Sequence, residues 1–359
     1  MDHENIREIR IDPIVPTQSV LISTARGNRP HKEELPPARD VREYVESCPF
    51  CRGNEHLTPP AAFQVPATEE WEIRAVENPY PILSDVPLPP GVTQGIQQAI
   101  EGYGHHEVII DHPNHGIALD QMSEQHLALL FAFYRDRMRF LYNTDPRIRY
   151  VLVFKNFGKA AGGSMPHTHS QLIAMPIVPH NVHDEVEYSQ NFYHKNGSCI
   201  FCTLIDEAMS LQTTAYDRSS GETRQNYVSG KYVVERGRHF VAIKPFASRY
   251  EWEVHILPTG HQSNFLQVTS EELDDLAGVL QRTMTRLKAV VGDVQYNYFI
   301  HTVPHVENSS DFAHSFHWHI EICPRTSIPS GFELGSGLFI NTISPEAAAY
   351  KLRQAVVQD

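Results

Sequence analysis

Positive charge is scarce in this sequence. It carries 30 Lys and Arg against 43 Asp and Glu, a net charge of −13 with histidine neutral. That balance disfavours sequence-independent binding to DNA or RNA, which rests on Lys and Arg meeting phosphates. It leaves room for a small anion held by a few local donors. No run of about 18 apolar residues occurs, so no membrane span is expected. The opening Met1-Asp2-His3-Glu4-Asn5 lacks the basic and then apolar pattern of a signal peptide, and a cytoplasmic location is the expectation. Cysteine is sparse too, at five in 359 residues. Without a secretion signal, a disulfide framework is not expected.

Four of the five cysteines fall into two C-x-x-C pairs, Cys48/Cys51 and Cys199/Cys202, with Cys323 left over. Such pairs leave metal ligation or redox chemistry open. Histidine is plentiful at 21 residues, so only spacing makes any one of them informative. The spacing repeats. Cys48-Pro49-Phe50-Cys51 is followed by Glu107-Val108-Ile109-Ile110, His115 and His167-Thr168-His169. Cys199-Ile200-Phe201-Cys202 is followed by Glu253-Val254-His255-Ile256, His261 and His317-Trp318-His319. One offset of 146 residues relates His115 to His261, Ser123 to Thr269 and Tyr150 to Tyr296.

Ser123 and Thr269 suit helix N-caps. After them Leu127, Leu130, Phe131, Tyr134, Met138 and Leu141, and likewise Leu273, Leu276, Ala277, Leu280, Met284 and Leu287, recur at helical spacing. Each set predicts one amphipathic helix packed on a core. The runs Tyr150–Phe154 and Tyr296–Ile300 read as strands. Each half is thus strands, one long helix, then strands. That order predicts an α+β fold of duplicated halves with mostly antiparallel sheet, divided at 1–180 and 181–359. The seam is expected in the polar stretch from Pro179 to Asn196.

The repeated order Cys, Cys, His, His predicts two zinc sites, because Zn²⁺ favours four thiolate and imidazole ligands in a tetrahedron. The first would use Cys48, Cys51, His115 and His167; the second Cys199, Cys202, His261 and His317. Along a strand, side chains alternate faces, so His167, His169 and Gln171 would share one. One imidazole could then fix the strand to a metal while His169 points at substrate. A nucleophilic imidazole must be neutral and held still. A hydrogen bond from its Nδ1–H to a backbone carbonyl would free Nε2 to attack phosphorus. Gln171 suits donation to a phosphoryl oxygen without adding charge. Gly162 and Gly163 permit close backbone approach, and Ser164 offers one more donor. The second copy has Glu321 where the first has Gln171, and a carboxylate there would repel phosphate. Catalysis is therefore assigned to His169 rather than His319, and structure or acceptor binding to the second half. Gly331-x-x-x-Gly335-x-Gly337 is no P-loop, since no Gly-Lys-Ser/Thr follows.

These residues resemble the galactose-1-phosphate uridylyltransferase family, within the histidine-triad superfamily. The resemblance runs from Arg10-Ile11-Asp12-Pro13 and Arg26-Gly27-Asn28-Arg29-Pro30, through Cys48–His56, to Phe154-Lys155-Asn156 and Gly162–Gln171. It implies a ping-pong exchange in which the residue matching His169 takes a nucleotidyl group from a nucleoside diphosphate sugar. That group then passes to a sugar 1-phosphate or to phosphate. The resemblance also implies phosphate contacts from Ser164 and Gln171, arginines near the phosphates at Arg26 and Arg29, nucleoside contacts near Asn78 and Asn156, and a homodimer. Two departures stand out. Gly163 replaces the cysteine usual in uridylyltransferases, and Ser336-Gly337 replaces a Tyr-Glu pair that engages hexose. Both this tail and the second cysteine pair look closer to the ADP-glucose phosphorylase branch, which passes AMP to phosphate. A histidine-triad dinucleotide hydrolase, with water as acceptor, is the other alternative. Neither uracil nor adenine is singled out by a local motif.

Overall fold

A computed structural model describes residues 6–28, 39–86, 91–210, 212–216, 223–227, 230–306 and 309–355. Its centre is a ten-stranded sheet. In chain order the strands are β1 (Ala61–Val65), β2 (Ile73–Glu77), β3 (His105–Ile110), β4 (Tyr150–Phe157), β5 (His169–Met175), β6 (Val233–Arg236), β7 (Phe240–Ile243), β8 (Val254–Pro258), β9 (Tyr296–His301) and β10 (His319–Pro324). Their spatial order is β1-β2-β3-β5-β4, then β9-β10-β8-β7-β6. The second list is the first reflected in the seam, which is the duplication read from the sequence. Every neighbouring pair is antiparallel. At the seam β4 pairs directly with β9, Phe157 opposite Tyr296 and Val153 opposite Ile300. The fold is α+β, as expected.

Helices α1 (Glu124–Thr144) and α4 (Ser270–Val291) are the two amphipathic helices expected, and their apolar stripes are buried. Ser123 Oγ accepts from His126 N–H, and Thr269 Oγ1 accepts from Glu272 N–H, each satisfying an orphan donor of the first turn. Both helices contribute to one core on one face of the sheet, with Val151, Val153, Leu172, Ala174, Ile300, Ile320 and Ile322 beneath them. Period-two alternation sends Ser170 and Leu172 to this face and His169 and Gln171 to the other.

Two further helices, α2 (His180–Asn196) and α3 (Ile200–Ser210), were not legible in the sequence. The seam stretch is α2 itself, a helix with a narrow apolar edge of Val182 and Val186. With α3 it covers the second half's opposite face, burying Ile200, Phe201 and Ile205 against Val241, Ile243 and Leu257. Near the N-terminus, Ser19–Ser23 pairs with Arg7–Ile11 on one side and Phe339–Asn341 on the other, so segments from both ends of the chain share a small sheet.

Trp318 marks how tightly the second half is built. It is fully buried, its ring lies against Phe240 and Phe265, and its Nε1–H donates to Gln262 Oε1 at 2.6 Å. Trp318→Ala leaves a cavity and an unpaired acceptor, and is expected to cost about 3–5 kcal/mol, read from urea unfolding.

Candidate active site

The two cysteine pairs each meet two histidines. Cys48, Cys51, His115 and His167 bring their ligand atoms within 4.8 Å of one another, and so do Cys199, Cys202, His261 and His317. In the first cluster the Sγ atoms stand 3.5–3.6 Å from imidazole Nδ1 atoms. In the second, Cys202 Sγ lies 3.3 Å from His261 Nδ1 and 3.6 Å from His317 Nδ1. A tetrahedral zinc with ordinary Zn–S and Zn–N bonds has an S···N edge of about 3.5 Å. The donor set and spacing therefore fit a metal.

The outer nitrogens agree. His167 Nε2–H donates to His112 O, His261 Nε2–H to Ala313 O and His317 Nε2–H to Pro258 O, at 2.7–2.9 Å. Each bond fixes the tautomer that leaves Nδ1 for a cation. Burial holds His167 down at about 3 and, aided by the neighbouring Cys51 sulfur, pushes the Cys48 thiol up to about 11. A nearby cation would favour the ionised form of a thiol raised in this way.

His167 lies just before β5 rather than within it, and His169 opens the strand. His169 Nδ1–H donates to His167 O at 2.8 Å, the backbone bond that sequence reasoning required. Among the described residues this is the only hydrogen bond of its ring, so Nε2 is left for a ligand. Burial lowers the pKa of His169, which keeps the ring neutral. The ring of Phe50, between the two cysteines, packs on it at 5.4 Å.

Gln171 shares the face of His169, half-buried, with Oε1 2.9 Å from His106 Nε2. Asn78 turns its amide to the same imidazole. Asn156 Oδ1 accepts from Asn297 Nδ2 at 2.8 Å across the seam. Gly162 is left-handed at φ 82°, and Ser164 lies exposed in the loop that follows. A Cβ at Gly163 would stand 2.7 Å from Asn156 O, so this backbone conformation suits glycine.

Arg26 is gathered elsewhere, in electrostatic reach of Glu333 in the C-terminal tail. Arg29 lies outside the described residues. In that tail, Gly331–Ser336 is a short helix, and the Ser336 hydroxyl is spent on Phe332 O and Leu338 N–H.

Sequence reasoning missed the support beneath the histidine. Lys155, fully buried, donates to Asp111 Oδ2 (2.5 Å), Thr168 Oγ1 (2.8 Å) and His169 O (3.0 Å). Burial lowers the pKa of this ammonium, and Asp111 opposes that. Ser170 Oγ, Tyr134 OH and Tyr298 OH complete the cluster. A charged residue directly after the apolar run Tyr150–Phe154 was the available signal.

The second half repeats the backbone but not the opening. His319 Nδ1–H donates to His317 O at 3.0 Å. Its Nε2, however, lies 3.5 Å from Glu321 Oε1 and 3.9 Å from Glu185 Oε2. Glu321 is held in turn by Arg249 at 2.6 Å.

An antiparallel duplicated sheet that presents such a histidine beside a Cys/Cys/His/His cluster defines a nucleotidyltransferase class. The comparisons agree. A family model described as galactose-1-phosphate uridyl transferase, N-terminal domain, matches residues 1–179. ADP-glucose phosphorylase of Arabidopsis thaliana is 33% identical over 351 residues, 97% of this chain and 92% of that protein. Galactose-1-phosphate uridylyltransferase of Thermotoga maritima is 28% identical over 358 residues, 98% of this chain and 99% of that one. The crystal structure of an ADP-glucose phosphorylase from Arabidopsis thaliana with bound ADP-glucose matches at TM-score 0.80 and 30% identity, over 98% of this chain and 100% of that one. The chain belongs to the galactose-1-phosphate uridylyltransferase family and is an enzyme of that nucleotidyltransferase class.

The paired clusters generate a direct test. Purified protein is expected to carry two equivalents of zinc per chain. Cys48→Ser should remove one of them and lower the melting temperature, with plasma mass spectrometry and calorimetry as the readouts.

Proposed function

We propose that the enzyme moves a nucleotidyl group from a nucleoside diphosphate sugar to inorganic phosphate through a covalent intermediate on His169. One observation carries this reading: His169 is fixed through Nδ1 to a backbone carbonyl while Nε2 has no hydrogen-bond partner among the described residues.

In the first step Nε2 attacks the α-phosphorus. A P–N bond forms, the bond from that phosphorus to the bridging oxygen breaks, and the sugar 1-phosphate leaves with the electron pair. In the second step an oxygen of the acceptor phosphate attacks the same phosphorus. The P–N bond breaks, a nucleoside diphosphate departs and the imidazole returns neutral. Gln171 and Ser164 donate to the phosphoryl oxygens as charge develops. Asn156 has its carbonyl oxygen committed to Asn297, which leaves its NH2 for the nucleotide. Zinc at Cys48, Cys51, His115 and His167 would hold the segment that carries the His167 carbonyl. The functional division at 1–180 and 181–359 belongs to this reading, with the second half supplying support and the acceptor-side tail.

Three features favour phosphate over a sugar phosphate as acceptor: Gly163, the locally satisfied Ser336, and overall similarity to an ADP-glucose phosphorylase. The same similarity favours ADP-glucose as donor. A homodimer is part of the reading, supported by the exposed Val92, Ile96 and Ile100 around one hairpin.

Incubation with ADP-glucose alone should leave one adenylyl group on the intact chain, seen by mass spectrometry. Phosphate should discharge it as ADP. His169→Gly should abolish the adduct and lower turnover by more than about a thousand-fold. Discharge only by galactose 1-phosphate would restore the uridylyltransferase reading, and AMP formed in water alone would favour hydrolysis.

A further inference from the structure

Gln171 is useful to a phosphoryl group only if its amide presents NH2 and not oxygen. A free glutamine side chain has no such preference, and the two ends of the amide have opposite polarity. Something must decide the orientation.

His106 stands where that decision can be made. On β3, Val108 pairs with Gln171 and His106 with Ile173, so His106 is the diagonal cross-strand neighbour of Gln171 on the same face. Its imidazole is buried. The backbone N–H of Ile82 donates to Nδ1 at 3.3 Å. A backbone amide cannot reverse its polarity, so Nδ1 is the acceptor and the ring's proton sits on Nε2. Nε2 lies 2.9 Å from Gln171 Oε1. Nε2–H therefore donates to that oxygen, and the NH2 of Gln171 is turned away from His106.

Asn78 bears on the same nitrogen. Its Oδ1 accepts from Tyr80 N–H at 2.9 Å, which leaves its NH2 3.1 Å from Nε2. An Nε2 already carrying hydrogen cannot accept from it. The Ile82 and Gln171 contacts agree on one tautomer, and the Asn78 NH2 stays unspent. His106 thus sets the polarity of the Gln171 amide, while the Asn78 amide takes its own from Tyr80 N–H.

The second half offers the contrast. By register, Glu253 takes the place of His106 and Glu321 that of Gln171, with Arg249 and His255 held between the two carboxylates. There the polarity is settled by ion pairs.

We infer that His106 is a positioning residue: it orients the Gln171 amide so that its N–H groups meet the phosphoryl oxygens of the transferring nucleotide. This rests on the nucleotidyl-histidine reading above.

His106→Leu removes the donor. It should lower kcat about 10–100-fold, the usual scale for losing an orienting partner, with KM changed less than about two-fold. His106→Gln, which can still donate to Gln171, should recover most of the rate. In a Gln171→Ala background His106→Leu should have no further effect, because its route of action is gone. Zinc content and melting temperature verify folding, and His106→Gln carries the test if the leucine variant does not fold. Equal losses from His106→Leu in both backgrounds, failure of His106→Gln to recover rate in folded protein, or a change confined to KM would overturn the inference. If Gln171→Ala and His169→Gly themselves retain full activity, the underlying reading fails instead, and the two failures are distinguishable.

Discussion

The hydrogen bond from His169 Nδ1–H to the carbonyl of His167 ties two separate demands into one backbone segment. The proposed nucleophile needs a fixed tautomer, and the Cys/Cys/His/His cluster needs the His167 ring. Because the two histidines are only two residues apart, whatever immobilises His167 also immobilises the acceptor that holds His169. A residue-length shift would break both at once. The C-x-x-C turn contributes twice, since Cys48 and Cys51 meet His167 while Phe50 packs on His169. The loop of Gly162 and Gly163, the amide of Gln171 and the imidazole of His106 are all arranged around a ring that this single bond keeps in place.

Duplication shows what the bond alone does not achieve. His319 has the same link to His317, and Phe201 packs on it at 5.2 Å as Phe50 does on His169. The backbone device was copied intact. The chemistry around it diverged, because Glu185 and Glu321 approach Nε2 from two sides, Glu321 held by Arg249 and Glu185 by His301. An incoming phosphorus, already surrounded by negative oxygens, meets carboxylates there and neutral amides in the first half. One substitution, Gln to Glu, begins that difference, and α2 completes it by bringing Glu185 across the face.

Much of this could be read from spacing. The 146-residue offset gave the duplication, the stripes gave α1 and α4, and the paired Cys and His order anticipated both clusters, because periodicity and repetition are properties of sequence. What escaped depends on contacts between distant segments. Helix α2 has only a narrow apolar edge, so its polar composition resembled a linker. His106 was one histidine among 21, and only strand register places it diagonal to Gln171. Glu321 was read as a repulsive group, without the Arg249 that holds it. Arg26 illustrates the same limit, since its neighbourhood with Glu333 joins opposite ends of the chain.

Lys155 explains why a catalytically divergent second half would be retained. Burying an ammonium is costly unless every donor finds an acceptor, and Lys155 meets Asp111, Thr168 and the His169 carbonyl. Asp111 in turn accepts from Ser170 Oγ and Tyr134 OH. Tyr134 OH is within 2.7 Å of Tyr298 OH, and Tyr298 belongs to β9 of the other half, directly opposite Lys155 across the seam. The polar cluster that fixes the backbone behind His169 is therefore closed by a residue the first half does not own. Separated at the seam, that half would expose the edge of β4 and open this cluster to water. On the proposed reading the second copy can do without a nucleophile of its own and still be required, because the histidine of the first copy is held from behind by both.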